Sequence, residues 1–104
     1  MAQKNYELVL CIINAGYSQN VMEAARAAGA KGGTIIRARG SANPEAEEFF
    51  NIGIQSDKEL LMILVPADIK DEVMKNIYNE GGLAKEAKGI VFSVPVTRTS
   101  TIKE

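Results

Sequence analysis

The segment ELVLCIINAGYSQNVMEAARAAG (7–29) can be written above ELLMILVPADIKDEVMKNIYNEG (59–81) with no gap, at an offset of 52 residues. Six of the 23 positions are identical: Glu7/Glu59, Leu8/Leu60, Ala15/Ala67, Val21/Val73, Met22/Met74 and Gly29/Gly81. A chain that repeats at this spacing is assembled from two copies of one supersecondary unit, and the unit limits the fold. Each copy opens on a continuous apolar run, "YELVLCII" and "ELLMILV", the pattern of a strand buried on both faces. Each then turns helical. Val21, Ala24, Ala25 and Ala28 recur at i, i+3, i+4 and i+7, and Ile69, Val73 and Ile77 at i, i+4 and i+8. Ser18 is the expected N-cap of the first helix. Asp68, with Asp71 three positions on, is a relative of the capping box for the second. Gly29 and Gly81–Gly82 stand where a left-handed C-terminal cap is wanted. A further strand follows each helix, "GTIIRARG" (33–40) and "GIVFSVPV" (89–96).

The order is strand-helix-strand, a connection, then strand-helix-strand. That is the ferredoxin-like βαββαβ plan of an α+β domain, a four-stranded antiparallel sheet with two helices on one face. One domain over residues 1–104 is expected. The connection from Ser41 to Lys58 is far longer than a hairpin requires, which marks it as functional or disordered. The central runs are apolar on both sides, so the helix-free face would be a large hydrophobic patch. Other subunits are expected to cover it.

The 104 residues contain no histidine and one cysteine. This excludes Ser-His-Asp and Cys-His catalysis, imidazole bases and zinc-thiolate clusters. No intrachain disulfide can form, which suits a reducing cytosol. The net charge of −1 provides no field that would draw nucleic acid or an anionic membrane. The start lacks a cleavable-signal pattern, and no apolar run approaches the roughly 20 residues of a membrane-spanning helix. A soluble cytoplasmic protein is expected.

Two basic stretches carry the candidate chemistry. In "GGTIIRARG", Arg37 and Arg39 are two residues apart and share one sheet face. Two like charges there repel mildly, unless an anion or Glu45, Glu47 and Glu48 of the connection sits between them; the readings are a solvated strand end or an anion site. In "GGLAKEAKG" (81–89) a glycine-bounded turn holds Lys85 and Lys88. Backbone N–H groups in such a turn, with an ammonium, can bind phosphate, and a solvated turn is the competing reading. Cys11 reads as core, and the acids of "DIKDE" as helix-start charges.

These residues resemble the PII-like signal-transduction proteins over nearly the whole chain. The most specific pieces are "AGAKGGTIIRARG", "VPADIKDEVMKNIYNEGG" and "AKGIVFSVPVTR". The resemblance implies a non-enzymatic homotrimer that binds an adenine nucleotide, ATP or ADP with or without magnesium, in clefts between subunits. It also implies a role in nitrogen regulation, exerted on a target membrane transporter or metabolic enzyme. By resemblance Thr34 would contact the adenine with Ile12 and Leu64 nearby, and Gly40 would begin the target-docking T-loop, residues 41–58. Ser41, Asn43, Glu45, Phe49 and Phe50 would be its partner-binding residues. In the B-loop, residues 82–89, Lys88 would meet phosphate, with Glu86 and Ala87 supplying backbone N–H groups. Arg98 would reach a phosphate across the subunit interface. No metal ligand and no nucleic-acid site are implied.

The chain also departs from the family pattern. Glu86 and Ala87 replace glycines of the phosphate turn, and Ala42 replaces the glycine two positions after Gly40. The connection holds no tyrosine to accept a nucleotidyl group. No glutamine matches the one that helps bind 2-oxoglutarate, which argues against that effector. Related architectures that bind a cyclic dinucleotide, or that confer cation tolerance, are the alternatives.

Overall fold

The computed structural model describes residues 5–41 and 57–100. The elements are β1 (Tyr6–Asn14), α1 (Ser18–Ala27), β2 (Thr34–Arg39), β3 (Asp57–Pro66), a 3₁₀ turn (Ala67–Ile69), α2 (Lys70–Glu80) and β4 (Ile90–Val96). The strands form one sheet in the order β2-β3-β1-β4, and every neighbouring pair is antiparallel. This is the expected α+β, ferredoxin-like arrangement. The repeat is visible in the ladder itself. Leu10 and Met62, 52 positions apart in the chain, face each other at the centre of the β1·β3 pair. The two halves are therefore related by a local two-fold axis at that rung.

Alternation along the two central strands separates two faces. Val9, Cys11 and Ile13 of β1 and Leu61, Ile63 and Val65 of β3 are fully buried, facing the helices. They meet Val21, Met22 and Ala25 of α1 and Val73 and Ile77 of α2. Burying each large aliphatic chain contributes about 1.5–3 kcal/mol. The stripes read from the sequence are the buried faces of the helices, with Ala28, and Ile69 of the 3₁₀ turn, partly buried against the core. The helices also pack on one another, and the Asn76 side chain donates to the Ala24 carbonyl at 2.6 Å.

The capping expectations are corrected. Ser18 is the first residue of α1, not its cap; Tyr17 holds that position and no side chain caps the helix end. The chain turns at Gly16, whose φ is 102°, and is helical one residue sooner than the Ser18 signal suggests. Asp68 lies in the 3₁₀ turn, and Ile69 precedes α2 without a side-chain cap bond. Asp71 and Glu72 occupy the first turn of α2 instead, where the helix dipole favours acids. At the helix ends Gly29 and Gly82 take the left-handed conformation, with φ of 114° and 80°. Gly81, the repeat partner of Gly29, does not; it is the right-handed C-cap.

Two measurements check this core. Ile63→Ala should cost about 2–5 kcal/mol in denaturant unfolding, because the cavity lies between sheet and helices and cannot fill with water. Cys11 supplies a pH test. Burial pushes its thiol from 9.0 up to about 12. A raised folded pKa means that this stabilisation is complete below about pH 9 and is lost as pH climbs through the window to about 12. The stability difference between wild type and Cys11→Ala should thus shrink by about 1.4 kcal/mol per pH unit in that window. Urea titrations at several alkaline pH values would read it.

Candidate functional site

Register places four chain segments at one end of the sheet. They are the end of β1 at Asn14, the end of β2 at Arg39–Gly40, the start of β3 at Asp57–Lys58, and the turn that leads into β4. The connection 42–56 leaves and returns here.

The turn from Gly81 to Gly89 is folded, not merely solvated. Leu83 and Ala87 are buried in the core. Lys85 and Ala87 donate their N–H groups to the Gly82 carbonyl at 2.9 and 3.1 Å, and Gly89 donates to Leu83 at 3.1 Å. The Ala87 carbonyl accepts from the Asn14 N–H at 2.9 Å, which fixes the turn to β1. Ala84, Lys85, Glu86 and Lys88 point outward and are exposed. Lys88 has a φ of 49° and is the one left-handed non-glycine among the described residues. That conformation costs roughly 1–2 kcal/mol for a residue with a Cβ. The packed turn imposes it, and so fixes where the Lys88 ammonium begins.

The expected site residues fall into three groups. Gly40, Glu86, Ala87 and Lys88 are all at the loop end, with Ile12 one rung in, opposite Leu60 and Ile90. Thr34 and Leu64 lie farther along the open face, where Thr34 faces Met62 and Leu64 faces Leu8. Gly40 lies six positions beyond Thr34, roughly 20 Å of strand. Arg98 follows the far end of β4, where Val96 pairs with Tyr6. Within one chain these groups do not close around a common pocket. The N–H of Ala87, expected to face a phosphate, is already bonded inside the turn. The N–H groups of Glu86 and Lys88 have no backbone acceptor among the described residues. Ser41 is exposed at the start of the connection. Asn43, Glu45, Phe49 and Phe50 lie outside the described residues.

The arginine question has a partial answer. Arg37 and Arg39 are in register with Glu59 and Asp57. Opposite charges facing each other across an antiparallel pair contribute roughly 0.2–1 kcal/mol. The cations therefore stand in register with acids on the neighbouring strand.

Sequence reading missed the best-defined polar group at this end. Lys58 is only 3% exposed, and its Nζ donates to Asn14 Oδ1 at 2.7 Å. A glycine eases the close approach beside it: a Cβ on Gly40 would lie 3.0 Å from both Lys58 Cγ and Cε. The available signal was a lysine just before an apolar run and an asparagine just after one. Nothing in the sequence says that the two runs pair in the register that joins them. On the opposite face Glu59 Oε1 accepts the Gly16 N–H at 3.0 Å. Among the described residues no three acids or cysteines gather as a metal site, and no helix is long and apolar enough to cross a membrane.

A search of curated proteins returned no match. Among solved structures, the crystal structure of Arabidopsis thaliana PII bound to citrate superposes with a TM-score of 0.66 at 23% identity, covering 90% of this chain and 77% of that one. A Bacillus cereus protein related to NIF3 superposes with a TM-score of 0.72 at 12% identity. There the match covers 94% of this chain but 27% of the other, so this chain corresponds to about a quarter of that protein. At these identities both likenesses show the fold. The family model for nitrogen regulatory protein P-II matches residues 6–104, which is nearly the full length and includes both repeats and the loop end described above. The chain therefore belongs to the nitrogen regulatory protein P-II family.

Proposed function

We propose that this protein is a non-catalytic regulatory homotrimer that binds ATP or ADP in clefts between subunits and signals to a membrane transporter or metabolic enzyme in the cytoplasm. The observation that carries this reading is the open face of the sheet. Leu8, Leu10 and Ile12 of β1 line it with Leu60, Met62 and Leu64 of β3, and Ile36, Phe92 and Val94 extend it onto the edge strands. Ile36, Leu64, Phe92 and Val94 are 37–41% exposed, a contiguous apolar surface of the kind that marks an interaction site. Packing copies on this face would bring the Thr34 and Leu64 surface of one subunit toward the loop end of another. It would also give Arg98 a way to reach a neighbour.

In this reading Ile12, Thr34 and Leu64 flank the adenine. Lys88 and the N–H of Glu86 meet phosphate, and Gly40 and Ser41 start the docking loop. Ala87 acts through packing, since its N–H is engaged. Anion binding by a relative, the citrate of the Arabidopsis thaliana PII structure, accords with a cationic site. A ligand that contacts one state of the connection better than another would shift its population, and so report to the partner.

Calorimetry against ATP, ADP, AMP and cyclic di-AMP, with and without magnesium, tests the ligand. Micromolar binding of ATP or ADP is expected, weakened at least roughly tenfold by loss of the charge-assisted contact in Lys88→Ala. Lys88→Gly should lose the same binding while folding as stably as wild type, because glycine accepts the left-handed φ. Heat with cyclic di-AMP alone would favour the cyclic-dinucleotide reading. Sedimentation velocity tests the assembly separately. Wild type should run as a trimer, and Leu10→Glu/Phe92→Glu should run as a monomer, because two charges cannot be buried at the centre of that face.

A further inference from the structure

The outer side of the two helices holds an open groove of about 280 Å³, lined by Asn20, Glu23, Ala24 and Ala27 of α1 and by Asn76 and Glu80 of α2. It lies where the two repeats cross, since Ala24 and Asn76 are 52 positions apart, as Leu10 and Met62 are in the sheet. The Ala24 carbonyl belongs to the last turn of α1. In a continuing helix it would accept the Ala28 N–H, but Ala28 donates to Ala25 at 3.1 Å. Asn76 Nδ2 donates to that carbonyl instead, at 2.6 Å. The bond fixes the amide and leaves Asn76 Oδ1 as an acceptor. The small Ala24 and Ala27 keep the groove open, and Glu23 and Glu80 are exposed along it. None of the basic residues of the helices, Arg26, Lys70 and Lys75, lines it. Among the described residues neither carboxylate forms an ion pair. Glu80 is also poorly placed for helix stability. It is the last residue of α2, whose last turn holds no base, so it faces the negative end of the helix dipole uncompensated.

We propose that this groove docks an arginine side chain of a partner protein. Every polar side chain that lines it can accept a hydrogen bond, and acceptors stand on both helices. A guanidinium, with five donors in a fixed planar fork, meets both sides at once, whereas a lysine ammonium is a compact point charge. The cation would offset Glu23 and Glu80 together, and would relieve the repulsion between Glu80 and the end of α2. Size selects the source. The groove is smaller than the roughly 300–1,000 Å³ of pockets that enclose a free small molecule, and it suits one side chain presented by a protein surface. It lies on the helix side of the sheet, opposite the apolar face, so assembly through that face leaves it accessible. The inference therefore stands apart from the nucleotide reading and from whatever the connection meets.

Amide chemical shifts of the intact protein, titrated with the blocked tripeptide Gly-Arg-Gly, test it. Saturable shifts are expected at residues 20–27 and 76–80, with a dissociation constant of roughly millimolar order for a single side chain. The citrulline tripeptide, which has the same shape without the charge, should not bind, and the lysine tripeptide should bind at least roughly threefold more weakly. Glu23→Gln and Glu80→Gln should each weaken the arginine peptide roughly threefold, and the double variant roughly tenfold. Glu72→Gln, an exposed acid of α2 outside the groove, should bind as wild type. Raising salt from about 50 to about 500 mM should weaken binding, as screening requires. Glu80→Gln should also melt no lower than wild type, because it removes an acid from the negative end of α2. The proposal is overturned if citrulline or lysine serves as well as arginine, if the shifts spread beyond the groove, or if Glu72→Gln weakens binding as much as the groove variants. It is equally overturned if Glu80→Gln lowers Tm, which would make Glu80 a structural residue, or if magnesium chloride alone shifts the same amides and displaces the peptide.

Discussion

The pairing of β1 with β3 is the constraint from which the rest follows. The two strands are the repeated segments of the chain, laid antiparallel so that Leu10 meets Met62. Both are apolar on both faces. One face takes the helices that each strand leads into. The small Ala25 packs into the core from α1, while Val73 and Ile77 fill from α2. The other face carries no helix among the described residues. The register decides more than packing, because a slip of one residue would exchange the two faces.

The same register creates the polar end. Asn14 is the last residue of β1 and Lys58 the second of β3, and only this alignment sets them opposite one another. The buried ammonium has an amide oxygen 2.7 Å away, and Gly40 lacks a Cβ that would crowd the Lys58 methylene chain. Next to this group the second half of the chain departs from the first. Thr34 and Phe92 occupy matching rungs on the outer strands, facing Met62 and Leu10. They are 58 positions apart in the chain, six more than the repeat offset of 52, and the extra residues fall between Gly81 and β4. The repeat breaks where the left-handed Lys88 sits. A strained residue held by buried neighbours is often part of a site, because the surrounding packing over-determines its position.

Sequence periodicity carried most of the fold. Continuous apolar runs gave the strands, the stripes of Val21 and Val73 gave the buried helix faces, and the absence of histidine removed whole classes of chemistry. The caps were less legible. Ser18 and Asp68 have the right chemistry for a cap, yet helix starts are set by the entering turn, here by Gly16 and by the 3₁₀ turn after Pro66. The candidate site was legible as separate pieces. Lys88 in its glycine-bounded turn could be singled out by composition, whereas the fact that Ala87 is a core residue with an engaged N–H could not.

By itself the sequence determined the element types, the two-fold repeat, the apolar excess on the central strands and the list of groups that could meet an anion. Those follow from local patterns, in which each residue reports on neighbours a few positions away. The tertiary structure alone decided that Asn14 bonds Lys58, that Glu59 holds the turn before α1, that Arg37 faces Glu59, and that Thr34 and Arg98 lie away from Lys88 within a chain. Those relations join residues far apart in the chain, and they exist only once strand register converts sequence position into position in space.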